Sequence, residues 1–223
     1  MLESNLNQIR ATISQACTLA KRDQETVKLV AVTKTVSIEK MLPLISAGIN
    51  EFGENRVESL LEKQRLLQDH EIVWHFIGRL QRRKVKEVIN QIDYFHALDK
   101  ESLAMEIQKR GTRTIKCFVQ VNVSEEASKQ GCLLEDTIKF IVNLERFDRI
   151  KVVGLMTMAP YDASDEEIVR YFETLAKKKE EIVKLNLSHA PCTELSMGMS
   201  QDYPLAIKSG ATLIRIGTAF FKE

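Results

Sequence analysis

The sequence predicts an α/β protein, a single (β/α)8 TIM barrel with an extra N-terminal helix, taking residues 1–223 as one domain. Three observations predict it. Short apolar runs alternate with longer polar stretches of helical period along the whole chain. Such strict alternation calls for parallel strands joined by helical crossovers. Eight such units in about 200 residues is the size of a small barrel, whose strands are covered on both faces and read as near-continuous apolar runs. A doubly wound open sheet shares the alternation and is the alternative architecture.

The elements follow in order. Leu2, Leu6, Ile9, Ile13, Ala16 and Ala20 make one apolar stripe, which sets an amphipathic helix ahead of any strand. Leu29–Lys34 is a β-branched run too short for a helix, and the helical stretch Ile38–Ala47 after it stops at Gly48, a common helix terminator. Further strands are expected at Glu51–Asn55, Val73–Gly78, Tyr94–Leu98, Lys116–Asn122, Lys151–Met158, Thr193–Met197 and Thr212–Gly217. Helical stretches between them include Val57–Gln68, Lys100–Arg110, Leu134–Leu144 and Glu166–Leu185, the last opened by the capping box Ser164-Asp-Glu-Glu167. With the chain stopping at Glu223 just after strand eight, the leading helix is expected to cover the gap a final helix would fill.

Composition narrows the function. Lys plus Arg number 32 against 31 for Asp plus Glu, a net charge of +1, which gives no reason to expect nucleic acid or a membrane surface as partner. The basic run Arg79-Leu-Gln-Arg-Arg-Lys-Val-Lys86 has no interleaved aromatics for base stacking and reads as a solvated helix face. Cys17, Cys117, Cys132 and Cys192 are scattered without a CxxC, as free thiols in a reducing, cytoplasmic compartment would be. No apolar run reaches the length of about 18 residues needed to span a bilayer. His70, His75, His96 and His189 lack metal spacing, so no metal is expected, and neither a P-loop nor GxGxxG is present.

Function in a (β/α)8 barrel sits at the C-terminal strand ends. There the sequence places Lys34, Glu54-Asn55, His75 with Gly78-Arg79, Asn122, Met156-Thr-Met158, Ser196–Ser200 and Arg215–Thr218. A lysine closing an apolar strand is placed to attack a carbonyl, although snorkelling to solvent is the plain alternative. Ser200 before the expected helix 201–209, together with Gly217-Thr218, suggests a cup in which backbone N–H groups meet a phosphate. Arg215 shares a strand face with Leu213 and Gly217. If that face is interior, its guanidinium needs a partner, either a carboxylate or a pyridine nitrogen.

Val30-Ala-Val-Thr-Lys34, Phe52-Gly-Glu-Asn55, Trp74-His-Phe-Ile-Gly78, Val121-Asn-Val-Ser124 with Ser128-Lys-Gln-Gly131, Gly154-Leu-Met156, Leu195–Ser200 with Asp202, and Ile214-Arg-Ile-Gly-Thr218 together resemble the pyridoxal phosphate homeostasis protein family. The resemblance covers nearly the whole chain. It implies the barrel of the alanine racemase N-terminal domain without a second domain, and pyridoxal 5′-phosphate as cofactor, held as a Schiff base on Lys34. It further implies that Ser200, Gly217 and Thr218 hold the phosphate, that Arg215 faces the pyridine nitrogen, and that Asn55, His75 and Met197 lie near the ring. Thr35-Val36 and Arg82-Arg83 depart from the family pattern, at positions that touch no expected cofactor contact.

A racemase needs two acid–base groups on opposite faces of the reacting carbon. Lys34 serves one, whereas the resembling racemases bring the other from a second domain, and this chain stops five residues past Thr218. A guanidinium at the ring nitrogen also disfavours the protonated ring that acts as an electron sink. The sequence thus points to a non-catalytic carrier and buffer of pyridoxal phosphate that hands it to apo-enzymes, expected to be a monomer. An amino-acid racemase is the alternative, and an aldolase-type barrel using Lys34 on a sugar phosphate is a third reading.

Overall fold

The computed structural model describes residues 1–124, 126 and 130–222, so Ser128 and Lys129 of the quoted stretch Ser128-Lys-Gln-Gly131 lie outside the described residues. The barrel strands are β1 (Lys28–Val32), β2 (Glu51–Glu54), β3 (Val73–Phe76), β4 (Tyr94–Leu98), β5 (Ile115–Asn122), β6 (Ile150–Met156), β7 (Glu194–Ser196) and β8 (Leu213–Ile216). Each pairs in parallel with the next, and β8 closes on β1 through Lys28↔Leu213 to Ala31↔Ile216. The sheet is therefore a closed barrel and not the open alternative. A two-residue strand, Cys132–Leu133, adds to the end of β5.

The helices are α1 (Leu2–Leu19), α2 (Ile38–Ser46), α3 (Val57–Leu66), α4 (Val85–Val88), α5 (Glu101–Arg110), α6 (Thr137–Asn143), α7 (Asp165–Val183) and α8 (Tyr203–Lys208). The apolar stripe of α1 buries Leu6, Ile9, Ile13 and Ala16. That helix packs on α8 and on the turn after β8, where Asn5 Nδ2 donates to the carbonyls of Phe220 (3.0 Å) and Lys222 (2.9 Å). It thus occupies the place expected of it. The capping box of α7 forms as its sequence dictates: Glu167 N donates to Ser164 Oγ and Ser164 N to Glu167 Oε2.

Six of the eight strands end one or two residues earlier than apolar patterning suggests, and at β1 the reason is polar capture. β1 stops at Val32 instead of continuing to Lys34. Thr33 Oγ1 donates to Glu54 Oε1 (2.7 Å), the Lys63 ammonium donates to Thr33 O and to Glu54 Oε1 (2.6 Å each), and Val36 N closes a turn on Thr33 O. Glu54 is completely buried and also accepts from Ser59 Oγ (3.1 Å), so every charge in this cluster has partners. In the same way α6 starts at Thr137 and not Leu134, because a turn with Asp136 N on Leu133 O precedes it. The basic run at 79–86 forms a single 3-10 turn, Arg82–Lys84, leading into the short α4.

Two levels of side chains fill the barrel below its C-terminal end. At the N-terminal end, Lys28 and Lys116 place their ammoniums over the Tyr94 ring, at 5.7 and 4.9 Å from its centroid, and Lys28 faces Glu194 at 3.9 Å. Above them sit His75, stacked on Tyr94 with centroids 4.6 Å apart, and His96 against Phe118 at 4.5 Å. Among the described residues, no helix is long and apolar enough to cross a membrane.

Candidate functional site

The C-terminal strand ends open into a cavity of about 700 Å³. Its walls are mostly apolar, among them Val32, Ile77 and Met156, with a few polar groups converging on it, the usual make-up of a small-molecule site. Every barrel strand except β4 sends described residues to its wall, either directly or through the loop that follows it.

Lys34 reaches the cavity from the turn after β1, with its side chain exposed at the mouth. The sequence left two readings, an amine poised to attack a carbonyl and one snorkelling to solvent. The turn anchored by Thr33 exposes it at the cavity mouth, and no hydrogen bond or ion pair among the described residues occupies its ammonium. Asn55, just past β2, is pressed against Gly78: a Cβ at residue 78 would stand 2.4 Å from Asn55 O, so only glycine fits. Asn55 Oδ1 is buried without a hydrogen-bond partner, in a side chain that lines the cavity. An orphaned amide oxygen is costly unless something in the cavity satisfies it.

Ser200 and Gly217 meet across the loops after β7 and β8. Gly217 N (3.2 Å) and Ala219 N (3.3 Å) both donate to Ser200 Oγ, beside Thr218. Gly198, at φ +93°, lets the β7 loop turn tightly onto α8, where a Cβ would lie 2.6 Å from that of Ala206. Asp202 is buried and accepts from Met199 N (2.5 Å); burial raises its pKa, against the pull of that N–H and of Arg215.

Arg215 is 4% exposed. Nη1 donates to Ser196 Oγ (2.6 Å) and Nη2 to Thr157 O (3.0 Å). Of the two partners the sequence allowed, a carboxylate is ruled out: none among the described residues lies within ion-pair distance, and both acceptors are neutral. Burial lowers its pKa to about 10, opposed by Asp202, so it is a cation at neutral pH. A buried guanidinium with only neutral acceptors keeps most of its field for what enters the cavity.

Six of the eight expected residues, Lys34, Asn55, Ser200, Arg215, Gly217 and Thr218, therefore line one cavity. His75 and Met197 do not. His75 lies inside the barrel two residues below Ile77, and hence one level beneath the cavity floor. Met197 follows Ser196 on β7, so alternation turns it away from the interior that Ser196 faces. Cavity-lining residues that the sequence did not single out include Gln120 and Tyr161. Gln120 alone carried a usable signal, as a polar residue in the apolar run of β5.

The residues fit pyridoxal phosphate: an amine for an aldehyde, a cation for a pyridine nitrogen, an unpaired amide for a ring substituent, and hydroxyls with backbone N–H groups for a phosphate. Comparison with known proteins agrees. The family described as alanine racemase, N-terminal domain, matches residues 4–223. A protein of Aquifex aeolicus named pyridoxal phosphate homeostasis protein is 37% identical over 221 residues, covering 98% of this chain and 96% of its own. A protein of the same name from Haemophilus influenzae is 36% identical over 228 residues, covering 99% and 94%. The structure of PipY of Synechococcus elongatus PCC7942 with PLP bound superposes with a TM-score of 0.80 at 30% identity, covering 95% of this chain and 100% of PipY. On these grounds the chain belongs to the alanine racemase N-terminal domain family, alongside the proteins named pyridoxal phosphate homeostasis protein.

Proposed function

We propose that residues 1–223 act as one unit that binds pyridoxal 5′-phosphate reversibly and serves as an intracellular carrier and buffer of it, not as an enzyme. One observation carries the reading. A single cavity brings together the exposed Lys34 amine, the buried Arg215 with neutral acceptors, and the Ser200–Gly217–Thr218 cup. When bound, the cofactor would supply an aldehyde to the Lys34 amine, which stands exposed at the cavity mouth where water can reach it. Arg215 would hold the ring nitrogen, Ser200, Gly217 and Thr218 the phosphate, and Asn55 a polar ring substituent. PLP bound in PipY supports the choice of cofactor.

Turnover of amino acids needs a second acid–base group facing Lys34. Among the described residues of the wall there is no His, Asp, Glu or Cys, and the phenol of Tyr161 is 86% exposed at the rim. That composition suits storage. Cys17, Cys117, Cys132 and Cys192 are free thiols, which supports placing the protein in the cytoplasm, where apo-enzymes would be its recipients.

The test is the visible spectrum of the purified protein with added pyridoxal phosphate. A stoichiometric yellow band that borohydride bleaches in wild type, and that shifts or weakens in Lys34→Ala, is the expected result. A protein that stays colourless defeats the cofactor assignment. Racemization or decarboxylation at an enzyme's ordinary rate, on the order of 10 per second, defeats the carrier reading.

A further inference from the structure

We propose that Glu51, His75, His96 and Ser196 form a one-directional hydrogen-bond relay through the barrel interior that positions Arg215 for the ring nitrogen of the cofactor. The assignment of that nitrogen rests on the function proposed above, but the relay itself does not.

The contacts are continuous. Arg215 Nη1 donates to Ser196 Oγ (2.6 Å), Ser196 Oγ meets His96 Nδ1 (2.9 Å), His96 Nε2 meets His75 Nδ1 (2.8 Å), and His75 Nε2 meets Glu51 Oε2. β4 and β7 are not neighbours in the sheet, so the His96–Ser196 bond crosses the barrel interior. His75, His96 and Ser196 are each completely buried.

The proposed direction follows from donor counting with one proton on His75. Burial pushes the Glu51 carboxyl up, but the hydrogen bond from His75, together with Lys28 and Lys116, outweighs it, so Glu51 is a carboxylate and can only accept. His75 therefore donates from Nε2. Complete burial, foremost, keeps His96 neutral, so one of its nitrogens donates and the other accepts. In the proposed relay His75 carries a single proton, on Nε2, and accepts at Nδ1, so His96 donates from Nε2 and accepts at Nδ1 from the Ser196 hydroxyl. That leaves Ser196 oxygen lone pairs for Arg215. Each member then donates once toward Glu51 and none is left unmatched. The opposite tautomer of His96 would point a second N–H at Ser196 Oγ, which already accepts from Arg215, and would leave the serine proton without an acceptor in the chain.

The arrangement has two consequences for Arg215. Ser196 and Thr157 O use two of its five N–H donors and fix the guanidinium plane, leaving three for a ligand. The carboxylate that ends the relay, Glu51, stands at the far end of the barrel, and Asp202, the acid whose charge Arg215 feels, makes no ion pair with it, so neither occupies the N–H groups left for a ligand. A packed apolar interior would fill the same space but would fix neither orientation nor charge.

The first measurement is nitrogen-15 NMR of the histidine rings in the cofactor-free protein. Protons on Nε2 of both His75 and His96 are expected, and a proton on Nδ1 of His96 overturns the relay. Glu51 does not line the cavity, so Glu51→Leu tests action at a distance. In the folded variant, the pyridoxal phosphate absorption band is expected to shift and dissociation to rise about tenfold. Glu51→Gln, whose amide oxygen still accepts, is expected to restore both. A folded Glu51→Leu with wild-type spectrum, affinity and His96 tautomer overturns the relay. Failure of wild type to bind pyridoxal phosphate would instead strike the proposed function, with the tautomers still reporting on the relay.

Discussion

Replacing Lys63 by Met tests the turn that carries Lys34. The Lys63 ammonium, 8% exposed, donates to Thr33 O and to Glu54 Oε1 at 2.6 Å each, and Glu54 is wholly buried. The change preserves most of the side-chain volume but leaves a buried carboxylate with only the Thr33 and Ser59 hydroxyls. Breaking a buried pair from one side typically costs about 3–5 kcal/mol. For a chain of this size that lowers the melting temperature by about 6–20 °C. The assay is urea unfolding of wild type, Lys63→Met, Glu54→Leu and the double variant. The double variant should recover much of the loss, since no charge is then stranded. Borohydride trapping at Lys34 should slow in Lys63→Met, because Thr33 O loses its donor. A loss below about 1 kcal/mol, or additive single losses, would refute the reasoning.

Three further predictions follow from packing and charge. Gly78→Ala forces a Cβ to within 2.4 Å of Asn55 O, and is expected to cost about 1–3 kcal/mol and weaken pyridoxal phosphate binding, read by spectrophotometric titration. Ser164→Ala removes one half of the α7 capping box and should cost about 1 kcal/mol in urea unfolding, with Ser164→Asp close to wild type. Burial, then His75 and Arg215, hold His96 below its ordinary pKa, so the unfolded chain binds the extra proton as pH falls through about 6.5. Stability should therefore decline toward acid, by at most about 1.4 kcal/mol per pH unit from this group, and His96→Asn should lose that slope in urea titrations.

Much of this was legible from patterning. β-branched runs and helical stripes located all eight strands and the leading helix, and strand-end chemistry located Lys34, Ser200, Arg215 and Thr218. Depth was not legible. Alternation tells which face His75 takes, but two residues of strand, about 6.6 Å, separate the cavity wall from the level beneath it. His75 was accordingly expected at the cavity wall when it lies one level beneath it. Met197 shows the opposite limit, because the short β7 ends at Ser196 and its parity depends on which residue first turns inward. The Glu54–Lys63 pair joins β2 to α3, and the His96–Ser196 bond joins strands 100 residues apart in sequence. Nothing local announces either, since each member is ordinary in its own segment.

The clasp between β1 and β8 has a consequence for how the protein comes into being. Lys28 pairs with Leu213, 185 residues later (213 − 28), and Asn5 is tied to Phe220 and Lys222. On the ribosome, the first strand thus waits for nearly the whole chain before its outer edge is covered. Closing so long a loop is entropically slow, and the open β1 edge stays available for wrong pairing until then. Ring closure is therefore expected to be the late, cooperative event of folding, with the Lys34 turn and the Arg215 strand brought together only at that step.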